Sequence, residues 1–268
     1  MKKVNECIFK FIWKGKQDRI KRSQMIQEYR FGGVKVPHVD SHLKALKINW
    51  IRRIHHGDQK WVKLFHYITD IQKEDIFEFG INRWKKQKRQ IKNCFWNNVL
   101  NSWAMIMHTY TCDPNLEKNE ITRNFLWWND GIMIGNKSIK YKDWCQKGVR
   151  FVNDLLTDNG NFLEYTDFCN LYQLNSNILN YYGIVNAIKS KWPCVKKGVS
   201  KTLQPFQPLV YDILFKPPKG CKIFYQCILK SIQNSYSSPN KWVKDLKMAI
   251  SQEEWRCHQC KLHVTQNF

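Results

Sequence analysis

One long uncharged stretch of the chain, residues 93 to 112, is about as long as a membrane span. Asn93, Asn97, Asn98, Asn101 and His108 interrupt it, and Trp96, Val99, Trp103, Ile106 and Tyr110 recur at helical spacing. That pattern predicts an amphipathic core helix, and no membrane partner is expected. The rest of the chain must then pack around such helices in water. With 43% hydrophobic and 14% aromatic residues among 268, it holds enough apolar material for a folded core and is long enough to divide into subdomains.

Helical periodicity recurs on both sides of this stretch. Residues 1 to 13 place Val4, Ile8, Phe11 and Ile12 on one face. After a basic, aromatic segment and the Gly32-Gly33 pair, which permits a turn, a helix starts near Asp40 or Ser41. It has Leu43, Leu46, Trp50, Ile51 and Ile54 on its core side and Lys44, Lys47, Arg52 and Arg53 on the other side or its margins. Trp61, Leu64, Phe65 and Ile68 mark another helix, and the run from Arg83 to Lys92 opens the helix that becomes the uncharged stretch. Asp113-Pro114 breaks the pattern, and residues 132 to 139 alternate around Gly135-Asn136 as a short hairpin does. Helical spacing returns through Trp144, Val149, Val152 and Leu156, turns at Asn159-Gly160, and continues near 164 to 172 and 177 to 190 until Pro193.

Pro205, Pro208, Pro217 and Pro218 exclude a long helix between 196 and 220, although Leu209, Tyr211, Ile213, Leu214 and Phe215 are apolar enough to dock. Final helices are expected near 221 to 233, with Phe224 and Ile228, and near 240 to 251, with Trp242, Leu246 and Ile250. The expected fold is mainly α, multi-helix modules with one short β-hairpin. Its divisions are a helical module over 1–110, a helical module with the hairpin over 111–195, a Pro-containing linker over 196–220 and a truncated C-terminal helical segment over 221–268.

Charge sets the class of partner. Forty-four Lys and Arg against 22 Asp and Glu give a formal charge of +22, spread along the chain, and such a field favours a polyanion. The ten cysteines are scattered without a pattern, and Asn5, Glu6, Lys10 and Lys14 interrupt any apolar leader. Reduced thiols and an intracellular setting, nucleus and cytoplasm, are therefore expected.

The blocks FIWKGK, RIKR, GGVKVP and LKALKINWIRR, in this order and spacing, resemble the segment after the palm of LINE-type retrotransposon reverse transcriptases. LWWNDGIMIGNKSIKYKDWCQKGVRFVNDLLTDNGNF, NILNYYGIVNAIKSKWP and the tail with Lys241-Trp242 and EEW are similar to later blocks of the same polyproteins, so the likeness spans nearly the whole chain. It implies a thumb-like module over 1–110, a wrist-like module over 111–195, and a template RNA and DNA primer as partners. It also implies fingers and palm that lie before Met1. The family's catalytic loop carries paired aspartates, and no two aspartates are adjacent here, so the chain is expected to be non-enzymatic and to need no cofactor.

Lys14, Lys16, Arg19, Lys21 and Arg22 surround a loop from which flexible cations can reach phosphates without base readout. The bland alternative is a solvated loop whose Trp13 is core. Arg52 and Arg53 are weaker candidates. The run Arg83, Lys85, Lys86, Lys88, Arg89 and Lys92 suits either a nucleic-acid or import patch or a solvated helix face. Glu74-Asp75 and Glu253-Glu254 are the nearest approach to a two-metal carboxylate pair, and both read as ordinary charged helix. Cys257, Cys260 and nearby His263 make half a zinc site without a second pair. His55-His56 beside Gly57 reads as a helix end. The rival classes are a stand-alone basic helical binding module, an enzyme of unseen type, and an inert relic of a degraded element.

Overall fold

The computed structural model describes residues 2–27, 33–57, 59–197, 208–216 and 221–232. It is mainly helical with one two-stranded hairpin. The helices are α1 (Lys2–Ile12), α2 (Arg22–Ile26), α3 (Val39–His56), α4 (Gln59–Thr69), α5 (Ile81–Gln87), α6 (Cys94–Thr111), α7 (Lys118–Thr122), α8 (Lys142–Gln146), α9 (Tyr165–Tyr172), α10 (Ile178–Lys191), α11 (Leu209–Leu214) and α12 (Lys222–Ile232). Strands β1 (Met133–Ile134) and β2 (Lys137–Ser138) form the hairpin, and short 3-10 helices cover Lys73–Glu78, Val152–Leu155 and Pro193–Lys197. The chain forms two compact units, one of residues 1–44 with 225–268 and one of residues 45–224. Gly32, the helix expected over 240–251, Glu253-Glu254 and the Cys257, Cys260 and His263 group lie outside the described residues.

In the first unit, α1 buries Phe9, while Phe11 is 85% exposed and Val4 45% exposed. Of the face expected to be apolar, Ile8 and Ile12 are half-buried and Val4 and Phe11 are not, while Phe9 beside it is the buried ring. Met25 of α2 is buried, and its carbonyl accepts from Val34 N and Val36 N at 3.2 and 2.9 Å. Tyr225 of α12 accepts from the His38 backbone N–H at 3.0 Å and meets the His42 ring edge-on.

In the second unit, α6 is the buried helix that the uncharged stretch foretold: Trp96, Val99, Leu100, Trp103, Ala104, Ile106 and Met107 are buried. It does not begin at Arg83. Asn93 caps it by accepting from Trp96 N at 3.1 Å. Asn97 donates to the Lys88 and Ile91 carbonyls at 3.0 and 3.4 Å and accepts from Trp84 Nε1 at 2.9 Å. The asparagines that interrupt the apolar pattern thus tie down a break between α5 and α6, the job short amide side chains do at helix starts. On α3 the buried stripe in this unit is Ala45, Ile48, Ile51 and Ile54, and Leu46 is 43% exposed.

Gly135 and Asn136 take φ of 56° and 61° between β1 and β2, the paired left-handed torsions that two-residue hairpin loops require. Gly183 of α10 lies against this hairpin; a Cβ there would sit 2.9 Å from Ile134 Cδ1. The helix expected to run from Tyr141 to Leu156 stops after α8. Leu126 N donates to Arg150 O at 2.9 Å and Val152 N to Asn124 O at 3.0 Å, and the Asp154 carboxylate accepts from Arg150 N and Phe151 N, both at 2.8 Å. Backbone pairing with residues 124–126 replaces the helix, yet Trp144, Val149, Val152 and Leu156 are all buried as expected.

Buried tryptophans need a partner for the indole N–H; Trp144 finds Ser176 Oγ at 3.1 Å, and three others find backbone carbonyls. Trp103 donates to Ile76 O at 2.8 Å, Trp127 to Val149 O at 2.8 Å and Trp192 to Asp113 O at 2.9 Å. The described part of the linker docks too. Leu209, Val210, Leu214 and Phe215 are buried, Asp212 pairs with Arg123 and Lys216, and Tyr211 and Phe215 flank the His55 ring.

One ion-pair knot ties this unit together. The Glu78 side chain has no exposed surface. It accepts from Arg150 Nη2 and Nε at 2.7 and 3.1 Å and from Lys140 Nζ at 2.9 Å. Asp75, one turn earlier, holds Arg83 Nη2 at 3.0 Å. The unit therefore includes residues of both stretches, 1–110 and 111–195. Burial lowers the Arg150 pKa, but the Glu78 hydrogen bond and charge outweigh it and the net shift is upward.

Glu78→Gln leaves two half-buried cations without their anion, and removal of one partner of a buried pair costs about 3–5 kcal/mol; urea unfolding should show a loss of that order, and an unchanged midpoint would remove the knot from the stability of the fold. A second expectation concerns acid. Burial, then the charges of His56 and Lys73, hold His55 at a pKa of about 4 against 6.5. The stability it confers as a neutral ring is complete above about 6.5 and is lost as pH falls toward 4. Tm should drop further between these limits for the parent than for His55→Phe; parallel curves would show that His55 is not the acid-sensitive group.

Candidate nucleic-acid interface

The Lys14 to Arg22 segment begins as a helix end. Lys14 N donates to Phe11 O at 3.1 Å and Gly15 N to Lys10 O at 2.7 Å, with Lys14 and Gly15 at φ 49° and 78°. This is the six-to-one and five-to-two pairing that closes a helix with a left-handed residue, a place that glycine fills best. Lysine occupies it here. Lys14, Lys16, Arg19 and Lys21 are exposed, and no carboxylate among the described residues lies within ion-pair distance of them.

Arg22 differs from these four. Its Nε donates to Asp18 Oδ2 at 2.6 Å, and its guanidinium lies 4.7 Å from the Phe9 ring centroid. An exposed pair of this kind is worth about 0–1 kcal/mol, so its role is to position the loop. Trp13 is half-buried.

Arg52 and Arg53 belong to the second unit. Arg52 points inward: it donates to the Leu214 carbonyl, its guanidinium lies 4.8 Å from the Phe224 ring centroid, and burial lowers its pKa. It fastens α11 to α3. Arg53 is exposed, with its guanidinium over Trp50, 4.7 Å from the ring centroid. The run from Arg83 to Lys92 is no single helix face, because α5 ends at Gln87. Arg83 is buried against Asp75, and Lys86 and Lys88 lie over Trp128 and Trp84 at 5.0 and 5.2 Å.

Other polar groupings are accounted for locally. Asp75 is engaged by Arg83. Among the described residues no three His, Cys, Asp or Glu side chains are placed to share a metal ion. His55 and His56 end α3, as the sequence suggested.

Sequence spacing gave no hint of a Cys112, His108 and Asp130 cluster, because Asp130 is distant in the chain from the other two. His108 Nδ1 lies 3.2 Å from Asp130 Oδ2 and 3.4 Å from Cys112 Sγ. The Asp130 hydrogen bond, then that of Cys112, raises the His108 pKa to about 10. A nucleophile relay needs base and orienting group on opposite ring nitrogens, whereas both neighbours here face Nδ1. Asp130 also accepts from Ile81 N and Asn82 N at 2.7 and 3.0 Å, so the cluster anchors the start of α5.

The loop's cations can be separated from its scaffold. Lys14→Gly suits the left-handed backbone and removes a charge, so combined with Lys16→Ala, Arg19→Ala and Lys21→Ala it should leave helical content unchanged and weaken duplex binding by about tenfold or more, on a scale where each phosphate contact contributes separately. Equal affinity of parent and variant, measured by anisotropy at low salt, would remove the loop from any footprint. No protein-family model matches the chain, and no curated protein and no solved structure matches it.

Proposed function

We propose that this chain is a non-catalytic nucleic-acid-binding fragment of a LINE-type retrotransposon reverse transcriptase. It grips a template RNA and DNA primer duplex through phosphate contacts while a palm outside this sequence adds nucleotides. Two lines support the reading. The sequence blocks from FIWKGK to LKALKINWIRR resemble the post-palm segment of that family. The observation that carries most weight is that the loop places Lys14, Lys16, Arg19 and Lys21 in solvent on a hydrogen-bonded helix end, with Arg22 braced behind them.

The cations divide by task. Arg52, Arg83, Arg123, Lys140 and Arg150 hold the protein to itself. Lys14, Lys16, Arg19 and Lys21 have no carboxylate partner among the described residues, and a formal charge of +22 favours a polyanion over any neutral or cationic ligand. Phosphate contacts of this kind carry little sequence information, so binding should be nearly indifferent to sequence.

If about six to ten phosphates are neutralised, affinity for an RNA–DNA duplex should fall roughly a thousandfold or more between about 50 and 200 mM salt. Binding that ignores salt over that range, or no binding at low ionic strength, would overturn the phosphate grip.

A further inference from the structure

Beyond the loop, we infer that residues 45–224 carry a second, chemically different site, a pocket for one nucleotide of a single strand. An open concavity of about 600 Å³ lies between α5, the 128–130 loop and the hairpin, lined by Asn82, Lys86, Trp128, Lys137, Lys140 and Lys142. The inference rests on the reading that the chain handles nucleic acid. It adds which strand form is held and by which residues.

The lining sorts by what each cation is already doing. Lys140 is neutralised by Glu78 at 2.9 Å. Lys86, Lys137 and Lys142 are exposed, and no carboxylate among the described residues pairs with them. Three uncompensated ammonium groups around one hollow make an anion site, and flexible lysines suit a phosphate whose position varies.

Trp128 makes the hollow more than an anion site. Its backbone sits at φ 52°, a left-handed conformation that is an outlier for a bulky residue. The loop is fixed around it: Trp128 N donates to Ile139 O at 3.0 Å, Asn129 bridges Phe125 O and Gly131 N at 2.7 Å each, and Asp130 caps α5. Gly80 is required on the other side, since a Cβ there would lie 2.7 Å from Trp128 O. The fold thus holds a strained backbone in place and leaves the indole half-exposed in the pocket wall, under the Lys86 ammonium at 5.0 Å.

A base stacked on an indole gains more than an exposed ammonium over it does. An incoming nucleotide can therefore displace Lys86 from the ring face and leave it free to meet the phosphate. A duplex cannot use this pocket, because its bases are stacked on one another. The site should prefer single strands, with little choice among bases.

The test uses the full chain and fluorescein-labelled (U)8, with (dT)8 and an RNA–DNA duplex alongside. Trp128→Gly removes the ring and relieves the left-handed strain, which offsets part of the packing it loses on the core, and far-UV circular dichroism with the duplex affinity as control checks that the variant folds. It should weaken (U)8 binding about tenfold, as loss of one stacking contact does, with duplex affinity changed by less than about twofold. Lys137→Ala with Lys142→Ala should weaken (U)8 and lower the salt dependence. If (dT)8 follows (U)8, the pocket takes either kind of strand; if only (U)8 responds, it takes RNA. Equal (U)8 affinity of parent and Trp128→Gly overturns the pocket, as does competition by tripolyphosphate as effective as that by (U)8. A chain whose duplex affinity survives the loop replacement while Trp128→Gly loses (U)8 keeps this pocket and loses the grip.

Discussion

Glu78 has no contact with water, yet it is a carboxylate, and an isolated charge in that position would be prohibitively unstable. Arg150 and Lys140 make its burial tolerable, and they arrive from a part of the chain far removed in sequence. The 3-10 turn that carries Glu78 also carries Asp75, which orients Arg83, and Ile76, whose carbonyl satisfies Trp103 on α6. α5, α6 and the segments flanking α8 are consequently placed by one short stretch of backbone. Such a knot is expensive to bury and is stable only when complete, which makes it a device for choosing one arrangement more than for adding stability.

A chain with twice as many cations as anions must decide which ones face inward. Here acids are spent on cations that brace the fold, as with Asp75 and Arg83, Glu78 and Arg150, and Asp212 and Arg123. Rings brace others: Phe224 lies under Arg52, and Phe9 under Arg22. On the loop after α1 and around the hairpin hollow, Lys14, Lys16, Arg19, Lys21, Lys86, Lys137 and Lys142 are exposed without a carboxylate partner among the described residues. A uniformly basic composition becomes local surfaces only through this sorting, and the proposed grip and pocket are its two residues-level expressions, one built for phosphates alone and one with an aromatic platform added.

Much of the architecture was legible from spacing. The mainly helical class, the hairpin at Gly135-Asn136, α9, α10 and the buried face of α6 all follow from local pattern, since helix and turn chemistry act over a few residues. The errors share a cause. Helices were expected across 83–92 and 141–156, and both end where backbone or amide groups find distant partners: Asn97 with Lys88 and Ile91, Arg150 and Val152 with residues 124–126. Likewise the buried face of α3 runs through Ala45, Ile48, Ile51 and Ile54 and leaves Leu46 43% exposed. The loop cations were readable as cations, but Arg22's bracing role was not, nor was the inward turn of Arg52.

By itself the sequence determined the net positive charge, the helical class and the stock of apolar faces, because these depend on composition and on spacing within a few turns. Tertiary structure alone decided which cations pair with acids, how Cys112, His108 and Asp130 meet, and why Trp128 stands strained beside Lys86, Lys137 and Lys142. Each of these depends on which distant groups come within hydrogen-bond or ion-pair distance, and no local pattern encodes that choice.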